Sequence, residues 1–211
     1  MSLKRNEVIE LFFATPEVVN VSDKDDLEPQ PGVFSSVYIN CKTPLYYPEV
    51  RKKLVLLVAR HIDKTIDYIC GMESGGSYYA SAVADLEDKK IIFFRKERKK
   101  YNIKNYFVGN LPKKGDSVVI IDDVISSGNT ISKAVNQLQE MGCKIKVITF
   151  FSYCWDQRIA KNLGIEIVCL SNAEELIEYG LVLNRLSPHN AEIIREFIGR
   201  EESRLAGGVN G

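Results

Sequence analysis

The chain has 211 residues, 45% of them hydrophobic and 27% charged, so it can bury a proper core and has the composition of an ordinary globular protein. Its 28 basic and 28 acidic residues give a net charge of zero, which argues against broad electrostatic capture of nucleic acid. No apolar stretch approaches the length of a membrane span, and the first residues lack a signal-peptide core, so we expect no membrane association.

The cysteines indicate a reducing compartment. There are five, an odd number, and their spacing does not resemble that of a metal site. We therefore predict a cytoplasmic protein whose thiols are reduced and take no part in catalysis.

The first 62 residues predict a cap over the remainder of the chain. Residues Glu7–Phe13 have the apolar spacing of an amphipathic helix, and Val33–Cys41 alternates like a strand. Pro48–Ile62 has the pattern of a long helix with proline at its beginning, where proline is tolerated. We expect residues 63–205 to form the core, and the glycine-rich residues 206–211 to be a disordered tail.

The core alternates between strands and helices. The apolar β-type runs are Ile66–Cys70, Ile91–Phe94, Val118–Ile121, Lys146–Phe151 and Ile165–Leu170. The helical segments are Gly76–Leu86, Thr130–Met141 and Trp155–Leu163. This order predicts an α/β fold with an open, mostly parallel sheet between helices, in which ligands bind beyond the carboxyl ends of the strands.

The most informative motif follows the run Val118–Ile121. Two carboxylates, Asp122 and Asp123, come next, and a short polar turn then opens into the helix from Thr130. Unpaired amides and the positive end of a helix dipole favour an anion at such a turn, while the carboxylates can accept hydrogen bonds from hydroxyls. The motif therefore indicates a sugar phosphate. The alternative is an ordinary strand–helix unit whose acidic pair only meets solvent.

A basic segment, 95–109, follows the strand Ile91–Phe94 and contains Arg95, Lys96 and Lys99. Alone, such a segment is typical of a solvated loop. Because it lies between two strands of the predicted sheet, its basic end is expected at the same edge as the acidic pair. There its charges could neutralise a departing diphosphate.

The run 118–130 resembles the phosphoribosyl-diphosphate (PRPP) motif of the type I phosphoribosyltransferases. The segment Arg95–Gly109 is similar to the catalytic loop of the orotate phosphoribosyltransferases in that family. Further similarities are Ser35–Lys42 to the pyrimidine-side strand, Gly71–Ser77 to the diphosphate loop, and Phe150–Tyr153 to one branch of the family. The resemblance implies the type I phosphoribosyltransferase fold with a small N-terminal hood, and residues 63–205 as its core.

The resemblance also implies roles for single residues. Asp122 and Asp123 would hold the ribose hydroxyls. The diphosphate would contact the basic side chains of the segment 95–109 and the backbone of a second loop, which has a cis bond at Glu73–Ser74. Lys96 or Lys99 would reach a neighbouring subunit of a homodimer, and Mg²⁺ would bind mainly through PRPP, with no residue as a dedicated ligand. The implied catalytic residues are Lys99, Asp122 and Asp123, and the implied substrate-binding residues are Tyr38, Glu73, Ser74, Gly75, Arg95, Lys96, Lys99, Tyr101, Asp122, Asp123, Ser126, Ser127, Gly128, Asn129 and Thr130.

The implied reaction converts orotate and PRPP into orotidine 5′-monophosphate and diphosphate. Several positions depart from the family pattern, namely Gln30, Ser36, Gly75 and Asn102. They leave open a phosphoribosyltransferase for another base, and a third hypothesis is a non-catalytic PRPP sensor that controls a partner. The zero net charge and the absence of a DNA-reading motif argue against a sensor that binds nucleic acid.

Overall fold

The computed structural model describes residues 6–97 and 106–207, and the predicted site residues Lys99 and Tyr101 lie outside them. The N-terminal elements are α1 (Glu7–Ala14), β1 (Val19–Val21), β2 (Leu27–Gln30), β3 (Val33–Ser35), β4 (Val37–Ile39), a 3₁₀ turn (Thr43–Tyr46) and α2 (Pro48–Ala59). They are followed by β5 (Tyr68–Met72), α3 (Gly75–Leu86), β6 (Lys90–Phe94), β7 (Phe107–Val108), β8 (Ser117–Ile125), α4 (Asn129–Glu140), β9 (Lys144–Ser152), α5 (Asp156–Leu163), β10 (Glu166–Cys169), α6 (Ala173–Val182) and α7 (Pro188–Gly207).

The core is a six-stranded sheet with the order β10-β9-β8-β5-β6-β7. All neighbouring strands are parallel except β7, which pairs antiparallel with β6. The predicted α/β class and mostly parallel sheet are therefore confirmed. From β5 the chain moves one way to β6, whereas from β8 it moves the other way to β9 and β10. The strand order thus reverses between β5 and β8, which is where open α/β sheets form a ligand crevice.

The central strand β8 is longer than the run predicted from its apolar residues. Val118 to Ile121 are at most 1% exposed, as expected for a strand covered on both faces. The strand continues to Ile125, because Val124 and Ile125 stay paired with β9. The expectation that the two aspartates follow the strand is therefore wrong, since they are its sixth and seventh residues of nine.

The N-terminal part forms two small sheets beside the core. β1 pairs with β4 and β2 pairs with β3, both antiparallel. The predicted single strand Val33–Cys41 is divided at Ser36, because the Ser35 hydroxyl donates to the Val37 carbonyl and accepts from the Val37 amide. That local bonding replaces strand pairing at this point.

Other boundaries differ at helix ends. The predicted helix Pro48–Ile62 ends at Ala59, because the amides of His61 and Ile62 bond three residues back and tighten the last turn. α6 was not predicted at all. α7 continues through Gly207, two residues into the segment predicted to be a tail, and residues 208–211 lie outside the described part of the chain. Among the described residues, none of the helices combines the length and apolarity needed to span a bilayer.

The close packing of α3 on β8 depends on Gly76. A Cβ at this position would lie 2.2 Å from the Ile121 carbonyl oxygen and 2.9 Å from the Asp122 Cα. Both are backbone atoms of a central strand, so they cannot move aside. Glycine here allows the helix to approach the strand that carries the acidic pair.

We expect Gly76→Ala to lower the free energy of unfolding by about 2–4 kcal/mol, because α3 must move away from β8. The matched control is Gly199→Ala in α7, where an added Cβ meets nothing within 4 Å. That variant should be neutral or gain about 0.5–1 kcal/mol. Denaturant unfolding of both variants measures the difference, and equal stabilities would contradict this account of the packing.

Candidate functional site

Two helices begin at the carboxyl edge of the sheet where the strand order reverses. α3 starts at Gly75 directly after β5, and α4 starts at Asn129 after β8. The acidic pair Asp122–Asp123 lies on β8 between these starts. The amide ends of two helices and two carboxylates thus share one crevice, which pairs anion-binding groups with hydroxyl-binding groups.

The turn from Ser126 to Thr130 is open to solvent on its polar side. Ser126, Ser127 and Asn129 are exposed, and Thr130 is half-buried. Gly128 has a φ of 75°, a left-handed conformation that glycine adopts without strain, and it has no side chain to cap α4. Ser132 donates to the Gly128 carbonyl at 2.8 Å, which starts the helix. The first amides of α4 therefore face a turn of hydroxyls, as a phosphate site requires.

The two aspartates differ in their surroundings. Asp123 is 5% exposed and accepts a hydrogen bond from the Val124 amide at 3.1 Å. Asp122 is half-buried and accepts from the Asp123 amide at 2.9 Å. Burial and the neighbouring Asp123 raise the pKa of Asp122 well above its usual range, and the charge of Lys96 opposes this shift. The cationic group near Asp122 is therefore Lys96, a residue of the predicted basic segment.

The acidic pair also meets the predicted diphosphate loop. A Cβ on Gly75 would lie 2.1 Å from Asp123 Oδ2, so the carboxylate occupies the space that a side chain at the start of α3 would need. The Glu73–Ser74 peptide bond is cis, which confirms that prediction. Glu73 and Ser74 are exposed, and the Glu73 amide donates to the Phe94 carbonyl at 2.9 Å. Glycine at 75, a departure from part of the family, is thus explained by the position of Asp123.

The first residue of the basic segment lies beside this loop. Arg95 is half-buried and lines a cavity of about 160 Å³ with Glu73, Ser77, Phe93 and Val108. Its amide donates to the Tyr106 carbonyl at 3.0 Å, which brings together the two ends of the segment. Lys96 is exposed next to it, whereas residues 98–105 lie outside the described part of the chain. A larger cavity of about 500 Å³ contains none of the predicted site residues, since it lies between α1, β1 and the start of α7.

Tyr38 approaches the acidic pair from the N-terminal side. It is half-buried on β4, and burial together with the charges of Asp123 and Cys41 raises its pKa. Burial and both aspartates raise the pKa of the Cys41 thiol as well, so this cysteine is a near neighbour that sequence reasoning treated only as a reduced thiol. No sequence signal places Cys41 there, because the contact depends on how the N-terminal sheet packs.

The structure therefore brings together all predicted site residues that it describes. Around one crevice lie the acidic pair, the turn 126–130, the loop 73–75, the start of the basic segment and the β4 tyrosine. No group of three or more His, Cys, Asp or Glu side chains arranged to hold a metal occurs within residues 6–97 and 106–207. The arrangement can hold a phosphate, a hydroxyl-bearing ring and a second anionic group side by side.

Comparisons with known proteins agree with this geometry. The phosphoribosyl transferase domain family matches residues 43–163. The orotate phosphoribosyltransferase of Listeria monocytogenes serovar 1/2a is 30% identical over 172 residues, which cover 79% of this chain and 82% of the relative. The enzyme of the same name from Methanocaldococcus jannaschii is 35% identical over 111 residues, 53% of this chain and 62% of the relative.

Solved structures show the same fold. Leishmania donovani UMP synthase superposes with a TM-score of 0.73 at 23% identity, covering 92% of this chain and 42% of that one. Orotate phosphoribosyltransferase from Aeropyrum pernix superposes with a TM-score of 0.62 at 21% identity, covering 82% of this chain and 96% of that one. Adenine phosphoribosyltransferase from Saccharomyces cerevisiae superposes with a TM-score of 0.60 at 17% identity, covering 77% of this chain and 99% of that one. The fold alone therefore does not identify the base. From its motifs, its fold and its matched relatives, the chain belongs to the phosphoribosyltransferase family and within it is similar to the orotate phosphoribosyltransferases.

Proposed function

We propose that this protein is an orotate phosphoribosyltransferase, which forms orotidine 5′-monophosphate and diphosphate from orotate and PRPP in pyrimidine biosynthesis. The observation that carries the proposal is the acidic pair between two helix starts at the point where the strand order reverses. The relatives named orotate phosphoribosyltransferase in bacteria and archaea support orotate as the base.

The turn and the acidic pair hold the ribose 5-phosphate part of PRPP. The 5′-phosphate accepts hydrogen bonds from the amides and hydroxyls of the turn Ser126–Thr130, and Asp122 and Asp123 accept from the ribose 2′- and 3′-hydroxyls. Fixed anchors at both ends of the sugar orient C1, and orientation of this kind can contribute about 7–11 kcal/mol in favourable cases. As the bond to diphosphate breaks, positive charge builds on the ribose, and the nearby carboxylates stabilise it.

The basic segment and the loop 73–75 hold the leaving diphosphate. Arg95 lines the cavity next to Glu73, and Lys96 is near enough to Asp122 for its charge to oppose the rise in the pKa of that carboxyl. Both observations support diphosphate contacts by Arg95 and Lys96 from the same chain. Lys99 and Tyr101 complete the set as residues of the same segment, which closes over the reactants and excludes water.

Magnesium fits this site as a partner of the substrate. The donor set of the chain here is a pair of adjacent carboxylates, hard oxygen ligands that suit a partly hydrated Mg²⁺. Asp122 and Asp123 would face the ion mainly through the ribose hydroxyls, and the diphosphate oxygens would be its direct ligands. When bound, the ion neutralises charge on the leaving group.

The base lies on the side of β4, where Tyr38 faces the acidic pair. In this proposal the ribose site lies between β4 and the diphosphate loop, so the base and the leaving diphosphate lie on opposite sides of C1. A ring nitrogen of orotate then attacks C1 as diphosphate leaves. We propose that Ser126 contacts the base as well as the phosphate.

The active form is proposed to be a cytoplasmic homodimer. The exposed aromatic side chains Tyr46 and Tyr78 and the exposed Leu56 lie on the 3₁₀ turn, α3 and α2, and their apolar surface supports a partner on this side. All five cysteines are free, which supports a reducing compartment. Because Lys96 serves its own chain, Lys99 is the lysine that reaches the neighbouring site.

The first test is turnover. When the protein is incubated with orotate, PRPP and Mg²⁺, the absorbance of orotate should fall. One diphosphate should be released for each orotate consumed. Adenine, guanine and uracil are the control bases. PRPP-dependent product from one of these and none from orotate would identify another phosphoribosyltransferase. If none of the bases causes PRPP to release diphosphate, a PRPP-binding regulator would remain.

The second test concerns Asp122. Because its pKa is raised in the folded protein, its ionised carboxylate lowers the free energy of unfolding. Asp122→Asn should lower kcat/KM by at least about a hundredfold, since a group facing the developing charge is lost. It should also increase the free energy of unfolding at pH 8 by on the order of 1 kcal/mol, because a desolvated carboxylate is removed. The folded pKa lies above the unfolded one, so this gain appears as the pH rises above about 4 and vanishes below it.

The control for that test is Asp63→Asn. Asp63 accepts hydrogen bonds from the hydroxyl and the amide of Thr65, which lower its pKa. Its contribution to stability has the opposite sign: it is present at neutral pH and is lost as the pH falls through the lowered pKa. Denaturant unfolding at pH 8 should place the two variants on opposite sides of the wild type, with D122N more stable and D63N less stable. A D122N protein that is less stable than the wild type at pH 8 would contradict the assignment.

The third test is complementation between subunits. Lys99→Ala and Asp123→Asn should each be inactive alone. Their mixture, after subunit exchange, should recover about a quarter of wild-type activity, because half of the dimers are mixed and each holds one intact site. Asp122→Asn mixed with Asp123→Asn is the control and should recover nothing. Absence of recovery in a protein that is shown to be dimeric would place Lys99 in its own site.

A further inference from the structure

We propose that Tyr153 is a positioning residue that holds the base side of the site in register with the ribose side. The inference rests on the proposed function, in which β4 carries Tyr38 against the base. It starts from one buried hydrogen bond between residues that are far apart in sequence. The amide of Ile39 donates to the Tyr153 hydroxyl at 3.1 Å, across 114 positions of the chain.

Within the part of the chain that the structure describes, the β1–β4 sheet has no hydrogen-bonded ladder to the six-stranded sheet. On the β1 side, the Asn40 amide donates to the Val18 carbonyl at 2.8 Å, and Asn20 is opposite Tyr38. In an antiparallel pair alternate amides point away from the partner strand, and in β4 these are the amides of Val37, which donates to the Ser35 hydroxyl, and Ile39. Without Tyr153 the Ile39 amide would be buried and unpaired among the described residues.

Tyr153 is well suited to hold a strand in place. It follows β9 at the carboxyl edge and is 8% exposed. Its ring packs edge-on against three other aromatic rings, with centroid distances of 5.2 Å to Phe151, 5.8 Å to Trp155 and 5.6 Å to Phe197. A ring fixed on three sides keeps its hydroxyl in one position, and burial raises its pKa, so the hydroxyl keeps its proton.

The same residue is attached to the strand of the acidic pair. The Tyr153 amide donates to the Ile125 carbonyl at 3.5 Å, two residues beyond Asp123. Its hydroxyl reaches Ile39, next to Tyr38. One residue therefore links the end of β8, which holds the ribose, to the middle of β4, which faces the base.

A second contact secures the upstream end of this strand. Arg200 on α7 donates to the Ser36 hydroxyl at 2.8 Å and lies 3.5 Å from an Asp25 carboxylate oxygen. The Ser36 hydroxyl serves as an acceptor in this contact. With Ser36 held by Arg200, loss of the Tyr153 hydroxyl should loosen the downstream part of β4 rather than release the whole strand.

The test is Tyr153→Phe, which keeps the ring and removes only the hydroxyl. The KM for the base should rise about tenfold, the factor that corresponds to the loss of ~1.4 kcal/mol. The KM for PRPP and kcat should stay within about twofold, because β8, its turn and the loop 73–75 are unchanged. The matched control is Tyr179→Phe. The hydroxyl that it removes lies away from the site and donates to Glu10 at 2.7 Å. It should leave the ratio of the two KM values unchanged.

A second measurement does not depend on activity. Amide hydrogen exchange of the peptide that contains residues 37–41 should be faster in the Tyr153→Phe protein and unchanged in the Tyr179→Phe protein. Unchanged exchange in this peptide, an equal rise in both KM values, or the same KM split in the control would overturn the proposal. If the wild type turns over a base other than orotate, the proposed function is wrong. The role of Tyr153 can still be tested, because the KM for that base can be compared with the KM for PRPP. If it turns over none, hydrogen exchange alone decides.

Discussion

The site depends on the placement of two adjacent carboxylates in the last part of a buried strand. Such a pair is unfavourable in a folded protein, because burial and mutual repulsion both oppose ionisation. The strand cannot simply end before them, since β9 remains paired as far as Ile125. The surrounding residues accommodate the pair instead. α3 approaches β8 through Gly75 and Gly76, where any side chain would collide with Asp123 or with the strand backbone.

This accommodation arranges the other parts of the crevice. Because α3 begins next to Asp123, the loop with the cis bond at Glu73–Ser74 lies beside the acidic pair. Because β8 continues directly into the turn at Gly128, the first amides of α4 lie at its other end. The basic segment starts at Arg95 after β6, which pairs with β5 on the side away from β8, at the same edge of the sheet. In the proposed function, the turn, the acidic pair and the loop 73–75 therefore follow one another in the order of the 5′-phosphate, the ribose and the diphosphate of PRPP.

Much of this could be predicted from the sequence where the signal was local. The strand, the acidic pair and the helix start of residues 118–140 form one continuous pattern, and the β-α alternation determined the parallel sheet. Local bonding that competes with regular structure was harder to predict, as the division at Ser36 shows. α6 was missed although its start carries a recognisable cap, since the Asn172 side chain accepts from the Glu175 amide.

Contacts between distant parts of the chain could not be predicted. The bond from Ile39 to Tyr153 and the bond from Arg200 to Ser36 join segments that are 114 and 164 positions apart, and neither residue pair has a pattern of its own. The position of Cys41 near both aspartates has the same cause, namely how the small N-terminal sheet packs on the core. These contacts place the base side of the crevice, so the chemistry of the ribose side was easier to infer than that of the base.

The most direct measurement is a crystal structure of the protein with PRPP and Mg²⁺ bound. The account predicts the 5′-phosphate at the amides of the turn 126–130, with the ribose hydroxyls within hydrogen-bond distance of Asp122 and Asp123. A ligand bound elsewhere on the protein, with this turn and these carboxylates contacting only water, would contradict it.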